Sequence, residues 1–272
     1  MSLFRPGWPV VVGFITLVML FPLYWALVSS LMPEQQLFAP QALLPQVFVL
    51  DHYRALFATR DFWTPVRNSL VVAGATTVVS VALGSLCAYA IARLQFRGKA
   101  LALALVLAVS MFPQIAIVSP LYVLLRELRL LNTYPGLVLP YLTFAMPLTI
   151  WLLVGFFRQL PAELEEAAMM DGATRLGAFR LVVLPLALPG VATTAILTFL
   201  YSWNEFLFAL SFILGPERYT VPVAITLFRG QYQVPWGEVL AAAVIATVPV
   251  AMIVLIAQRR IVAGLTAGAV KG

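Results

Sequence analysis

Stretches of twenty or more residues without a single charged side chain recur along this chain, and that spacing limits what it can fold into more than any other feature. The first runs from Pro6 to Pro33. A helix rises about 1.5 Å per residue, so about 20 such residues cross the roughly 30 Å hydrocarbon layer of a bilayer. A water-soluble core has no use for so many: 62% of the 272 residues are hydrophobic and 10% are charged, against about a quarter charged in ordinary soluble domains. The pattern predicts an all-α membrane protein forming one transmembrane domain over 1–272. Six spans are expected, at about 9–31, 68–92, 100–125, 135–157, 187–210 and 239–258. The first run exceeds the roughly 7 to 15 apolar residues of a signal peptide and is expected to stay as an anchor.

An even number of spans puts both ends on one side, so the loops fall into two sets. One holds Arg5, Arg93, Arg97, Lys99, Arg158, Arg175, Arg180, Arg259, Arg260 and Lys271; the other holds Arg54, Arg60, Arg67, Arg126, Arg129, Arg218 and Arg229. The richer set is expected to be cytoplasmic, and with it both termini. The net charge of +6 is spread through these short loops rather than gathered into a stripe, which argues against a nucleic-acid partner. One cysteine, Cys87, and one histidine, His52, can build neither a disulfide framework nor a multi-ligand metal site of Cys and His. Cys87 reads as packing and His52 as a solvated loop residue. DHYRALFATRDFW, in the outer segment from Pro33 to Arg67, suits a short helix at the membrane surface.

Prolines at 113, 120, 140, 147, 189 and 249 fall within or at the ends of spans. Each removes a backbone donor, which suggests kinked helices around a path, although prolines are also simply commoner in membrane helices.

The polar island between the fourth and fifth spans, 158–185, reads as two short helices. Pro161 suits a first helical position, with Glu163, Glu165 and Glu166 placed to complement a helix N-terminus. Leu164, Ala167, Ala168 and Asp171 share a smooth face that another protein can approach closely. Gly172 supplies a turn needing positive φ, or only ends the helix. Thr174 caps a second helix whose Leu176, Phe179, Leu181 and Val182 are expected to lie against the membrane or the bundle, ending at Leu184 and Pro185.

Glu166-Ala167-Ala168, three residues, Gly172, nine residues and Val182-Val183-Leu184-Pro185 resemble the signature of permease subunits of bacterial ABC importers, in which isoleucine is more usual where Val182 stands. The six spans, Trp203-Asn204-Glu205 and the ending QRRIVAGLTAGAVKG are similar to the second permease of maltose- and trehalose-type sugar importers. The resemblance implies the type I importer permease fold in a bacterial cytoplasmic membrane. It implies a heterodimer with a homologous second permease, two copies of an ABC ATPase carrying ATP and Mg, and an extracytoplasmic sugar-binding protein. The island then becomes a coupling helix seated in the ATPase, with Glu166, Ala167, Ala168, Asp171, Gly172, Leu184 and Pro185 as coupling residues. By itself the tail GLTAGAVKG reads as a frayed end; in the related permeases such a tail reaches into the ATPase, so deleting 264–272 is expected to weaken assembly.

The chain contains no G-x-x-x-x-G-K-[ST] phosphate loop, so no catalytic role is expected of it and energy must arrive from a partner. A neutral sugar needs hydroxyl partners, aromatic faces and weak, distributed contacts. Gln114, Ser119, Thr143, Asn204 and Glu205 are the candidates for its path, with Ser110 and Thr149 beside them; Glu205 also suits an interfacial or hydrogen-bonding role. An ion-coupled secondary transporter is the alternative, resting on Glu205 alone. A lipid phosphotransferase is disfavoured, because the alanine before Arg175 and the downstream aspartates of the D-G-x-x-A-R pattern are missing.

Overall fold

The computed structural model describes residues 8–38, 47–228 and 234–267, with side chains described as far as Gln258. Among the described residues every regular element is helical: α1 (Trp8–Ser30), α2 (Asp51–Ala58), α3 (Trp63–Arg93), α4 (Lys99–Ser110), α5 (Gln114–Glu127), α6 (Pro135–Gln159), α7 (Ala162–Met170), α8 (Arg175–Ala178), a π-helical turn (Phe179–Val183), α9 (Leu184–Leu186), α10 (Leu188–Trp203), α11 (Leu207–Phe212), α12 (Val221–Thr226) and α13 (Trp236–Ala267). Short 3-10 turns occupy Glu34–Gln36 and Pro216–Arg218. Among the described residues, helices α1, α3, α6 and α13 are each long and apolar enough to cross a membrane, and the number rises to six if each of two bent pairs counts as one span.

One bend falls within the expected span 100–125 and the other at the start of 187–210, where prolines suggest kinks. Helices α4 and α5 meet at 91° across a break at 111–113. Pro113 is the cause: it lacks an N–H, and its ring pushes Phe112 away from helical backbone. The run Arg175–Leu186 meets α10 at 78°, with the break at Ala187 ahead of Pro189. α10 then stops at Trp203, and 207–210 belong to the separate helix α11. Pro120, Pro140, Pro147 and Pro249, by contrast, lie inside continuous helices. Helix α13 runs on to Ala267, so 264–267 are helical rather than frayed; 268–272 lie outside the described residues.

The chain divides into two compact units, 1–64 with 224–249 and 65–223 with 250–272. In the first, Glu34 accepts the free N–H groups of Trp236 and Gly237 at 2.9 and 3.1 Å, capping α13 with a charge that suits its dipole. Arg60 pairs with Glu238 at 2.8 Å and lies over the Phe228 ring. In DHYRALFATRDFW, where a short helix is expected, α2 occupies the first eight residues. His52, expected to be solvated, is instead half-buried with Nε2 2.9 Å from the Met32 carbonyl.

In the second unit small residues let helices approach. A Cβ on Gly84 of α3 would sit 2.7 Å from Thr149 Cγ2 of α6, and one on Gly190 of α10 would run into the Phe156 ring. Thr149 is fully buried and bonded to Thr198 at 3.0 Å across α6 and α10, so this polar residue is helix-to-helix packing. One apolar cluster joins Val72, Leu125, Tyr141, Phe144, Phe208 and Phe212. A second joins Ala88, Tyr89, Leu153, Phe157, Phe179 and Val183. At the far end of α3, buried Asn68 donates to the carbonyls of Glu217 and Tyr219, each at 3.0 Å, and accepts from the Tyr134 hydroxyl at 2.7 Å.

Candidate functional site: the island loop and the polar cavity

Helix α7 is built to stop where it does. Its last turn is closed by Gly172 N–H to Met169 O at 3.1 Å and Ala173 N–H to Ala168 O at 3.0 Å, a glycine-dependent C-terminal motif. Gly172 stands at φ +91°, the backbone state expected of it. Thr174 follows as the expected cap, its Oγ1 accepting from Gly177 N–H at 3.1 Å. Pro161 is the residue just before the helix rather than its first residue. The turn is therefore defined by the backbone at Gly172 and the side-chain cap of Thr174.

Of the expected coupling residues, Glu166, Ala167, Asp171, Gly172 and Pro185 are exposed, while Ala168 and Leu184 are half-buried. Leu164 and Met170 also stand out, the latter 88% exposed. The return path is firmly seated. Phe179 is buried, 4.8 Å ring to ring from Tyr89 and edge-on to Phe157 at 6.1 Å, and Val183 lies in the same cluster. The π-helical register, closed by Leu184 N–H to Phe179 O, puts both side chains inward. Leu181, expected against membrane or bundle, is 74% exposed in this chain. Helix continues past Leu184 and Pro185 to Leu186, one residue beyond the expected end.

Beneath α7 lies a group the sequence reading did not assemble. Glu165 faces inward, its carboxylate accepting from the Tyr89 hydroxyl and lying 3.6 Å from Arg93 Nε. Arg93 Nη2 donates to Leu160 O at 2.7 Å. The sequence used Arg93 only for topology and Glu165 only for the helix dipole. Tyr89 and Arg93 stand one helical turn apart at the end of a span, a spacing that places both on one face; that was the available signal. A cavity of about 1020 Å³ adjoins them, lined in part by Arg93, Lys99, Glu166 and Arg175.

The path candidates separate. Gln114, Asn204 and Glu205 line one cavity of about 630 Å³, together with Leu148, Leu197, Leu200, Tyr201, Phe206 and Leu207. Gln114 Nε2 donates to the Tyr201 hydroxyl at 2.7 Å; Tyr201 was not among the expected residues. Ser119 is exposed on α5, and Thr143 Oγ1 turns back to Pro140 O at 2.6 Å. Neither lines this cavity. Ser110 likewise bonds back to Leu107 O at 2.8 Å. Glu205 lies in the break after α10, not within a span. Its carboxylate accepts from the N–H groups of Phe208 and Ala209 at 2.8 and 3.1 Å, capping α11. What the cavity offers is two amides, a phenol, the Glu205 carboxyl and apolar walls, chemistry suited to hydroxyl groups and ring faces.

Comparison with known proteins agrees with this architecture. Residues 80–266 match the family described as binding-protein-dependent transport system inner membrane component. The chain is 47% identical over 255 residues to the trehalose transport system permease protein SugB of Mycobacterium tuberculosis, covering 93% of each chain. It is 41% identical to the trehalose/maltose transport system permease protein MalG of Thermococcus litoralis, covering 94% of this chain and 93% of that one. It is 43% identical to the sulfoquinovosyl glycerol transport system permease protein SmoH of Agrobacterium fabrum, covering 93% and 89%. In fold it is similar to a chain of a bacterial ABC transporter that imports the acidic polysaccharide alginate, with a TM-score of 0.80 at 22% identity, covering 95% of this chain and 99% of that one.

Proposed function

We propose that this chain, which belongs to the binding-protein-dependent transport system inner membrane component family and is a permease subunit of an ABC sugar importer, carries a disaccharide or short oligosaccharide of the trehalose and maltose kind by alternating access. It pairs with a homologous second permease and takes sugar from an extracytoplasmic binding protein. Two copies of a partner ATPase, holding ATP and Mg, supply the energy at the cytoplasmic face, where both termini lie. The observation that carries this reading is the exposed helix α7, closed by Gly172 at φ +91° and joined by the chain to α6 on one side and, through the buried Phe179 and Val183, to α10 on the other.

The physical logic is that of a lever. α7 leaves α6 after only Leu160 and Pro161, and it returns to α10 through Phe179 and Val183, which are wedged into the core. A partner that grips α7 and closes on ATP displaces the inner ends of α6 and α10 together. Moving an equilibrium from 1:99 to 99:1 takes roughly 5.5 kcal/mol of differential binding, so the grip has to be rigid. The cavity beside Gln114 and Tyr201 fits a sugar that is held weakly and released.

Three relatives support the sugar class: SugB is named for trehalose, MalG for trehalose and maltose, and SmoH for a sulfoquinovosyl glycerol. A structural neighbour was solved as a bacterial alginate transporter in complex with an alginate pentasaccharide-bound periplasmic protein, which supports the extracytoplasmic partner. The test is uptake of radiolabelled trehalose and maltose into proteoliposomes holding the co-purified complex with its binding protein. Uptake that requires ATP and survives collapse of ion gradients is expected. Uptake that persists without ATP and fails with the gradients would overturn the proposal in favour of ion coupling.

A further inference from the structure

Helix α7 is joined to α6 and α10 by the chain itself, but it meets α3 only through side chains, and those contacts reach the island in three places. Tyr89 and Arg93 occupy the last turn and a half of α3. Arg93 Nη2 binds Leu160 O at 2.7 Å, just ahead of α7. The Tyr89 hydroxyl binds the Glu165 carboxylate in the first turn of α7. The same hydroxyl lies 3.3 Å from Arg175 O, at the start of α8. Two residues of one helix thus touch the chain just ahead of α7, the first turn of α7 and the start of α8.

The chemistry is unusual for a mere brace. The side chains of Arg93 and Glu165 are 11% and 8% exposed, and a buried ion pair is often no more stable than apolar residues of the same size. Arg93 Nε is buried yet has no hydrogen-bond partner; it stands 3.6 Å from a Glu165 oxygen, an ion-pair distance just beyond hydrogen-bond reach. An approach of about 0.6 Å by α7 would complete that bond. Only a small shift therefore separates the observed pair from a fully hydrogen-bonded one.

We propose that Tyr89, Arg93 and Glu165 form the joint that passes movement of α7 to α3, tightening onto Arg93 Nε when the ATPase closes. The proposal rests on the reading of α7 as the coupling helix. The three are positioning residues, since none touches sugar or nucleotide. Without the joint, closure still moves α6 and α10, but α3 follows incompletely and ATP is hydrolysed without transport.

The test is the ratio of radiolabelled trehalose taken up to ATP hydrolysed, measured on the complete co-purified transporter in proteoliposomes. In Glu165→Gln, hydrolysis is expected to stay within about twofold of wild type while trehalose per ATP falls about tenfold, the loss expected when a charge-assisted contact is weakened. Tyr89→Phe, which removes one oxygen and leaves the ring on Phe179, is expected to lower the ratio as well. Tyr89→Phe combined with Glu165→Gln should fall no further than the worse single variant, because the two groups act through one contact. Should Glu165→Gln fail to assemble, Tyr89→Phe decides alone. An unchanged ratio in assembled variants, or uptake and hydrolysis falling in proportion, overturns the joint while leaving a coupled wild type intact. A wild type that imports trehalose without ATP overturns the coupling reading and the joint together.

Discussion

Replacing Gly172 by valine separates the backbone of the island from its surface. Gly172 is held at φ +91°, and a Cβ added there would meet no heavy atom within 4 Å. The whole cost is therefore conformational: about 1 to 2 kcal/mol for an L-residue forced into the left-handed region, with a β-branched side chain at the upper end. If the chain escapes by rotating φ, it gives up the closing bonds from Gly172 to Met169 and from Ala173 to Ala168, worth about 1 kcal/mol each. Either way the observed turn between α7 and the Thr174-capped helix is disfavoured by about fivefold to thirtyfold in population, at about 1.4 kcal/mol per decade. The buried seats at Phe179 and Val183 are untouched, so membrane insertion and assembly are expected to persist. The assay is trehalose uptake per ATP hydrolysed by the complete complex, comparing Gly172→Val, Gly172→Ala and Gly172→Asn. Asparagine tolerates the left-handed region and should retain most coupling, alanine less and valine least. Normal coupling in Gly172→Val refutes the reasoning. Equal damage from Asn and Val refutes it too, since that would mean the added side chain obstructs the docking surface.

Three further outcomes follow from other parts of the chain. Gly190→Val should collide with the Phe156 ring and lower the thermal midpoint of the detergent-solubilised complex, at an overpacking cost of about 1 to 3 kcal/mol; an unchanged midpoint would show that α6 and α10 do not pack as described. Tyr201→Phe should raise the KM for trehalose about threefold to tenfold, equivalent to one lost hydrogen bond, with trehalose per ATP unaltered; an unchanged KM would remove Tyr201 from the path. The Asn132 amide donates to Glu217 Oε1 at 2.7 Å and holds its carboxyl below the ordinary range. Because the folded-state value is the lower one, this contribution is present above the ordinary carboxylate range and is lost as pH falls through the depressed value. Amide exchange at 214–219 should accelerate on that acid side and be less pH-sensitive in Glu217→Gln; identical profiles in the two proteins would contradict this.

The membrane class, the six apolar runs and the two-helix island were legible because each rests on local chemistry: uncharged length, a glycine that needs positive φ, a threonine before a helix. The bend at 111–113 was half legible. Pro113 marks it, yet Pro120, Pro140, Pro147 and Pro249 carry the same residue type through continuous helices, and only packing distinguishes them. Glu205 was visible as an ionisable residue in an apolar setting, but its task of capping α11 depends on a break after Trp203 that no strong local signal announces. The contact of Tyr89 and Arg93 with Glu165 joins residues more than seventy positions apart, which no periodicity in one sequence encodes. Tyr201 was hidden for the same reason, since its partner Gln114 lies in another helix.

The central claim is that α7 is a cytoplasmic handle gripped by the ATPase. Its most direct test is labelling of Ala167→Cys, in a Cys87→Ser background, by a membrane-impermeant maleimide in intact spheroplasts and in inside-out vesicles, with and without bound ATPase. Ala167 is exposed on α7. The account predicts no labelling from outside, rapid labelling in stripped inside-out vesicles, and protection when the ATPase is restored. Rapid labelling in intact spheroplasts, or labelling from inside that the ATPase leaves unchanged, would contradict it.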